Sequence, residues 1–546
     1  MLVEDKKILL LVRLIAIIVV AVVCFRLAWL SDDALITLRT ALNITHGWGP
    51  GFNATESVQA YTHPLWFLLW VTIGVTTNQW VWGILLAGIF LTSTAVGVMA
   101  WRTTSIARII LLTGMLIFSN GFIEYSTSGL ENPLAYLFIA LGFALSVNFL
   151  AGRGRKWWIL PLLISLTFAG VLLTRFDLII LVVPVGILLF WSQRKSWRIP
   201  VVAAVSFLVP VLIWFTWSWV TYHTLLPNTF AAKRNVDIPQ LELAVQGFRY
   251  FYVSFEHDPV ILILLVLGIL AGSIFGSLLI RAWTLGVILY LLYVISIGGD
   301  FMANRFMAVP ALACALILTS ISFRTTNSDK SQGAENSATF VESPKRDWLI
   351  APAISVLILT FLAIGANLSG STPTAMANYQ TQRWQFEQNM NAGVADERGW
   401  FIESGKSLKG LLDFLSLAYV HPDIVPLTYE NGMDRSLREI NKAAQNWPVN
   451  DGGFTNPSEV GAFCGGLGFM GIATGPITHL VDACALTDRF LSQQPYVPRE
   501  PYAWRVGHLD RVIPEGYLDA LAANDPSKVV DVLLAFELKK LWSEIR

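Results

Sequence analysis

Asp32 and Asp33 stand side by side directly after the first long apolar run, residues 8–30. Adjacent carboxylates can serve as general acid and base, and two so close split their titration, one ionised while the other holds a proton. Ionisable groups at membrane depth are costly, which marks them as functional by default. A structural reading is also open: a polar stop to the span, or an N-cap for the next helix. Further acids and bases occupy short polar turns between apolar runs. Glu131 lies in the 128–133 turn, Arg175 and Asp177 in the 174–177 turn, and Asp300 and Arg305 follow Gly298 and Gly299. Asn228 lies in Leu225-Leu226-Pro227-Asn228-Thr229, with Lys233 and Arg234 just beyond. Carboxylates suit base chemistry, and cations suit an anionic ligand such as a lipid phosphate. Each also has a local alternative: Glu131 as a helix cap, Arg175–Asp177 and Asp300–Arg305 as simple ion pairs.

The elements that must hold these groups are apolar helices. The chain has 546 residues, 54% hydrophobic and only 14% charged. A soluble domain carries about 25% charged residues, so repeated apolar runs near 20 residues imply a polytopic α-helical membrane protein. The formal net charge of +0 gives no bulk electrostatic case for nucleic acid. The high Trp and Phe counts, 21 and 32, suit interfacial belts. The first run is long and lacks a small-residue cleavage site, so it reads as a retained span.

Lys and Arg fix the orientation by the positive-inside rule. Lys6, Lys7 and Arg13, then Arg153, Arg155 and Lys156, then Arg194, Lys195 and Arg198, then the polar 324–347 linker, are expected to be cytoplasmic. Spans are expected over 8–30, 80–101, 106–122, 130–150, 157–174, 178–191, 199–221, 260–280, 283–297, 302–323 and 349–368, about eleven in all. Residues 64–75 are short for a span, and counting them would invert every later basic loop. They are therefore expected to form an interfacial or re-entrant helix within the first external loop, 31–79. Residues 1–368 thus form a transmembrane domain, and 369–546 an exoplasmic mixed α/β soluble domain. Within the latter, 408–417 and 527–542 read as amphipathic helices, and the Gly-rich 461–475 stretch as close-packed turns or strands. All the unusual acids and bases then fall on the external face.

Cys464 and Cys484 could pair on an oxidising face, or remain two buried thiols. Cys24 and Cys314 lie in apolar runs. There is no GxxxxGK[ST] loop, no His/Cys metal spacing and no GxSxG elbow. The carboxylates could hold a hard cation such as Mg²⁺, Mn²⁺ or Ca²⁺, although no spacing demands one.

An ordered set of motifs resembles a known family. Asp32-Asp33-Ala34-Leu35-Ile36, Gly49, Phe52-Asn53 and Tyr61-Thr62-His63-Pro64-Leu65-Trp66 are similar to the opening pattern of GT-C glycosyltransferases that use polyprenyl-phosphate sugars, in particular the AftB-like terminal arabinofuranosyltransferases. The Glu131, Arg175–Asp177, Asn228 and Asp300–Arg305 motifs follow in order. So do Asp396-Glu397-Arg398-Gly399, Asp482 to Asp488, and Gly507-His508 to Tyr517 in the C-terminal part. His63 stands where the pattern has Asn, Phe176 where it has Pro. The resemblance implies a GT-C fold in the plasma membrane with a pentosyltransferase activity, and a monomer is expected. D-arabinofuranose would pass from decaprenyl-phosphate arabinose to a terminal sugar of cell-wall arabinan, through a β-(1→2) linkage. It implies Asp32 and Asp33 as the acid/base pair, Asp32 slightly favoured. Glu131, Arg175, Asp177, Asn228, Lys233, Arg234, Asp300 and Arg305 would face the donor, and Tyr61, His63, Trp66 and His508 the acceptor. A transferase of another polyprenyl-phosphate sugar is a second reading. A lipid-linked sugar flippase or transporter is a third, but no paired broken helices or internal repeat are evident.

Overall fold

Uninterrupted apolar sequence satisfies its own backbone only as helix, and helices dominate the chain. The computed structural model describes residues 3–54, 56–153, 156–193, 196–234, 238–321, 393–395, 397–398, 437–452, 457, 459–496, 506–523 and 525–545. In chain order the first helices are α1 (Val3–Arg26), α2 (Asp32–Thr45), α3 (Pro64–Thr77), α4 (Trp80–Arg102), α5 (Ile106–Phe118), α6 (Asn120–Glu124), α7 (Asn132–Leu150) and α8 (Ile159–Thr174). They continue as α9 (Ile179–Ser192), α10 (Arg198–Tyr222), α11 (Asn228–Arg234), α12 (Gln240–His257), α13 (Pro259–Phe275), α14 (Leu278–Ser296) and α15 (Arg305–Ser320). Five of these, α1, α4, α7, α10 and α14, are long and apolar enough to cross a membrane, and the bent pair α12–α13 makes a sixth if taken together. Shorter apolar helices (α5, α8, α9 and α15) occupy further positions where the sequence leads one to expect spans. The expected linker 324–347, the eleventh span 349–368 and the helix 408–417 lie outside the described residues.

The bundle has two unlike ends. At one, Arg13 donates to the carbonyls of Ala100 and Thr103, Arg102 to Asn148 Oδ1, and Arg108 to the Ile321 carbonyl. At the other lie the starts of α2, α7 and α15 and the end of α8, with their acids. Helix α3 stays at this second end. Its terminal Asn78 carbonyl accepts from Gln445, while Gln79 and the Val81 amide at the start of α4 meet Asn441 on the same helix, α16 (Leu437–Gln445). The residues expected to form a short interfacial or re-entrant helix are a 14-residue helix in the structure. Pro at its first turn and left-handed Asn78 after its last explain its short extent.

Helix α15 is the bundle's centre, with nearly every side chain buried between α13, α14, α7 and α5. Outer helices such as α1 and α10 turn Ile, Leu, Val and Trp outward, as lipid-facing helices do. The described C-terminal elements are α16, β1 (Glu459–Phe463), α17 (Leu467–Thr474), β2 (Thr478–Asp482), α18 (Tyr517–Ala522) and α19 (Pro526–Ile545). β1 and β2 pair in parallel, with Glu459 opposite Thr478, and α17 connects them. The Gly-rich stretch is therefore strand plus helix. Cys464 and Cys484 are disulfide-bonded across this unit, with Cα atoms 5.0 Å apart. α16 and α17 bury their apolar side chains in one cluster with α2, α3 and α4, in which Trp29, Leu35, Trp66, Trp70, Trp80, Trp447 and Phe469 meet.

Candidate active site

Helix α2 begins at Ser31, whose hydroxyl accepts from the Ala34 amide as an N-cap. Successive helical residues point about 100° apart, so the two acids diverge. Asp32 turns to the C-terminal part: its carboxylate accepts from the Gly468 amide at 3.1 Å and the Phe469 amide at 2.8 Å, capping the start of α17. Two turns on, the fully buried Arg39 donates to the Gly471 and Thr478 carbonyls. Helix α2 thereby holds the start of α17, its later turn and the first residue of β2. Asp33 turns the other way. Its side chain keeps 25% of its surface, and its Oδ2 lies 3.5 Å from Arg305 Nη1.

Arg305 is the hub. Nη1 also lies 3.5 Å from Asp300 Oδ2, and Nη2 donates to Glu131 Oε1 at 3.3 Å. Three carboxylates from three turns, those before α7 and α15 and the start of α2, thus meet on one guanidinium. Glu131 is completely buried and has two more partners, Arg175 Nε at 3.7 Å and His63 Nδ1 at 3.3 Å. Burial alone would push its pKa up, but Arg305, His63 and Arg175 outweigh that and hold it near about 2. Burial pushes His63 down to about 4, so its imidazole is neutral at pH 7. Its Nδ1 faces the Glu131 carboxylate, and its Nε2 shares a hydrogen bond with the Thr37 hydroxyl at 2.8 Å. Asp33 moves oppositely: burial, with Asp32 and Asp300 nearby, outweighs Arg305 and raises it from 3.8 to about 6. One acid is held ionised and the other has its pKa raised toward neutrality, a contrast that makes Asp33 the acid/base candidate of the pair.

Beside the hub, Arg175 grips Asp177 through Nε–Oδ1 at 3.1 Å and Nη2–Oδ2 at 2.6 Å, and Tyr290 bonds to both. Gly129 adopts φ +76° in the turn that delivers Glu131, where a side chain would strike Leu30 and Ala34.

The structure brings Asp33, His63, Glu131, Arg175, Asp177, Asp300 and Arg305 together, while most of the other expected site residues make their contacts elsewhere. Asp32 is spent on α17. Asn228 donates to the carbonyls of Ala485, Leu486 and Asp488 and accepts from Ser492, so it docks the C-terminal segment and leaves no amide for a donor. Tyr61 is buried, stacked on Phe67 with its hydroxyl on that of Tyr222, and Trp66 donates to the Gly129 carbonyl. Both are packing residues, the commoner use of a large aromatic. Lys233 is exposed near Gly507 and adds a positive charge felt by Asp33. Arg234 is exposed and lies over the Phe230 ring. His508 packs edge-on against Phe301, the neighbour of Asp300. Among the described residues, the group of possible metal ligands within 4.8 Å of one another is Cys464, Cys484 and Asp510, whose two sulfurs are already bonded together. Sequence reasoning missed Thr37, Arg39 and Tyr290. A buried Arg seven residues from Asp32 on one helix face was a readable signal for Arg39. Tyr290 lies inside an apolar helix and offered none.

No family model matches the chain. Over 334 residues it is 27% identical to the terminal β-(1→2)-arabinofuranosyltransferase of Corynebacterium glutamicum, an alignment covering 53% of this chain and 47% of that protein. The chain thus spans about half the length of the curated relative it matches. The likeness implied by the ordered motifs and the likeness in aligned sequence coincide: the chain resembles an AftB-like terminal arabinofuranosyltransferase.

Proposed function

We propose that this protein is a multi-pass membrane glycosyltransferase that moves D-arabinofuranose from decaprenyl-phosphate arabinose to the non-reducing end of cell-wall arabinan, with a β-(1→2) linkage as in the relative's name. The observation that carries the reading is the hub: Arg305 gathers Asp33, Glu131 and Asp300, and of these acids Asp33 alone keeps appreciable access to solvent. The site end is read as external, where a lipid-linked donor and a wall acceptor meet and nucleoside triphosphates do not. About eleven spans, with the N-terminus inside and residues 369–546 outside, complete this reading.

Asp33 takes the acid/base role. It accepts the proton of the acceptor hydroxyl as that oxygen bonds to the anomeric carbon; if the lipid phosphate leaves in the same displacement the product is inverted, and the β product requires that an earlier displacement at that carbon has already released the phosphate. The departing phosphate keeps the electron pair, and the cations Arg305, Arg175 and Lys233 favour that charge. Such general-base help is worth about 10²–10⁴-fold. The donor in this family carries a β-linked sugar, so one displacement inverts it and a β product requires two. The stereochemistry of the product distinguishes these routes.

The test is transfer of labelled sugar from synthetic polyprenyl-phosphate arabinose to an arabinan oligosaccharide by purified protein in lipid. Transfer that vanishes in Asp33→Asn supports the reading. Transfer of a different polyprenyl-phosphate sugar only would move the substrate class, and no transfer from any such donor by folded protein would remove the enzyme reading.

A further inference from the structure

Helix α12 has three faces of different chemistry. Gln246, Gly247, Tyr250, Val253 and Ser254 are buried. Leu241, Val245, Phe248, Tyr252 and Phe255 form an exposed apolar stripe, spaced four and three residues apart, with Leu241 78% and Phe248 62% exposed. Glu242, Arg249 and Glu256, seven residues apart, make an exposed charged row beside that stripe. A helix buried in protein needs no charged row, and one wholly in water needs no stripe of five large apolar groups. One side on protein, one in acyl chains and one in water is the pattern of a helix lying in a membrane interface.

The surroundings agree. α12 meets α13 at a bend of 114° after Asp258, so it runs across the direction of the apolar helix it feeds. It packs over the end of α14, where Gly247 leaves no room for a side chain against Ile295 and Gln240 donates to the Ser296 carbonyl. That is the site end. The buried face of α12 also braces the turn carrying Asp300 and Arg305. Tyr250 fills the space beside Gly299, its hydroxyl accepts from the Phe306 amide at 3.1 Å, and Ser254 accepts from the Asn304 amide at 3.2 Å.

We infer that α12 is a monotopic anchor: its stripe seats in the outer-leaflet lipid surface and so fixes the Asp300–Arg305 turn at headgroup depth. The lipid contact stands independently of the proposed reaction. Its use, presenting the site to the head of a lipid-linked sugar, rests on that reading.

The two free cysteines are buried, so nitroxide labels can be directed to Phe248→Cys, Tyr252→Cys and Glu242→Cys in phosphatidylcholine nanodiscs. Labels at 248 and 252 should be relaxed more by oxygen than by a water-soluble nickel complex, and the label at 242 the reverse. Nickel-dominated relaxation at 248 and 252 overturns the anchor. Dipolar broadening between two copies also overturns it, since a second chain would then be the occupant. In a separate arm, Phe248→Asp with Tyr252→Asp should lower transfer from a long-chain donor about tenfold and spare a short, water-soluble donor. Equal loss with both donors overturns the depth role. If neither donor supports transfer in the unmodified protein, the proposed reaction fails, while the label result still decides the anchor.

Discussion

Arg305 Nη2 lies 3.3 Å from Glu131 Oε1, and Glu131 has no solvent-exposed surface at all. An ion pair sealed this way adds little net stability over an apolar pair, because both charges were stripped of water. Removing one partner, however, leaves the other buried and unpaired, at about 3–5 kcal/mol. Glu131→Ala removes one carboxylate from Arg305 and one from Arg175, which keep Asp33 and Asp300, and Asp177, respectively, so the loss should lie at or below the low end of this range and still give a measurable drop in melting temperature in lipid. Glu131→Gln keeps shape and hydrogen bonding and should melt between the two. An unchanged melting point for Glu131→Ala would contradict the hub.

Much of this site was legible in the chain, for a physical reason. Lys and Arg at the loop ends of apolar runs are sorted by the membrane, and Arg13, Arg102 and Arg108 do lie at the bundle end away from Asp33, Glu131 and Asp300. The choice between Asp32 and Asp33 was not legible. It depends on which acid meets amides 436 and 437 residues away, and no local pattern encodes that. The same holds for Asn228, which looked like a ligand group and is held by residues 257 to 264 positions downstream. His63 was readable as a departure from the family pattern, but its contact with Glu131 depends on how α3 is seated.

The divergence of the two acids gives a sharp pair of mutants. Asp33→Asn should lose about 10²–10⁴-fold in turnover with little change in melting temperature, since the lost group contacts a partly exposed face. Asp32→Ala should instead lower stability by about 0.5–2 kcal/mol, the usual cost of removing a helix cap, and should loosen α17 to proteolysis. The readouts are sugar transfer and thermal unfolding side by side. The reverse assignment, with Asp32 abolishing turnover in a fully stable protein, would exchange the roles.

In the proposed reaction Asp33 should also set a pH profile. Its carboxyl is raised from 3.8 to about 6, and only its ionised form can accept a proton. Transfer should therefore fall as pH drops through about 6 and level off above it. Glu131, held near about 2, and His63, near about 4, stay in one protonation state over that window. Asp300→Asn removes a neighbouring negative charge that raises Asp33, so the limb should move to lower pH. A limb unmoved by this change would separate the titrating group from Asp33.

The disulfide reaches the same acids by a different route. Cys464 and Cys484, 20 residues apart, bracket α17, whose first amides hold Asp32. Closing a loop of about this length restrains the unfolded chain by roughly 3 kcal/mol in the entropic model. The Cys464→Ser, Cys484→Ser double variant should lose stability on that order, and reduction of the unmodified protein should match it. Asp32 and Asp33 are consecutive on α2, so a looser α17 should also cost turnover. Arg39 ties α2 to α17 through Gly471 and to β2 through Thr478, and keeps these elements together after the bond is cut. Turnover in the double variant should therefore fall partially, and adding Arg39→Met should abolish it. A double variant with native stability and full turnover would show that the α2–α17 contact stands without the covalent link.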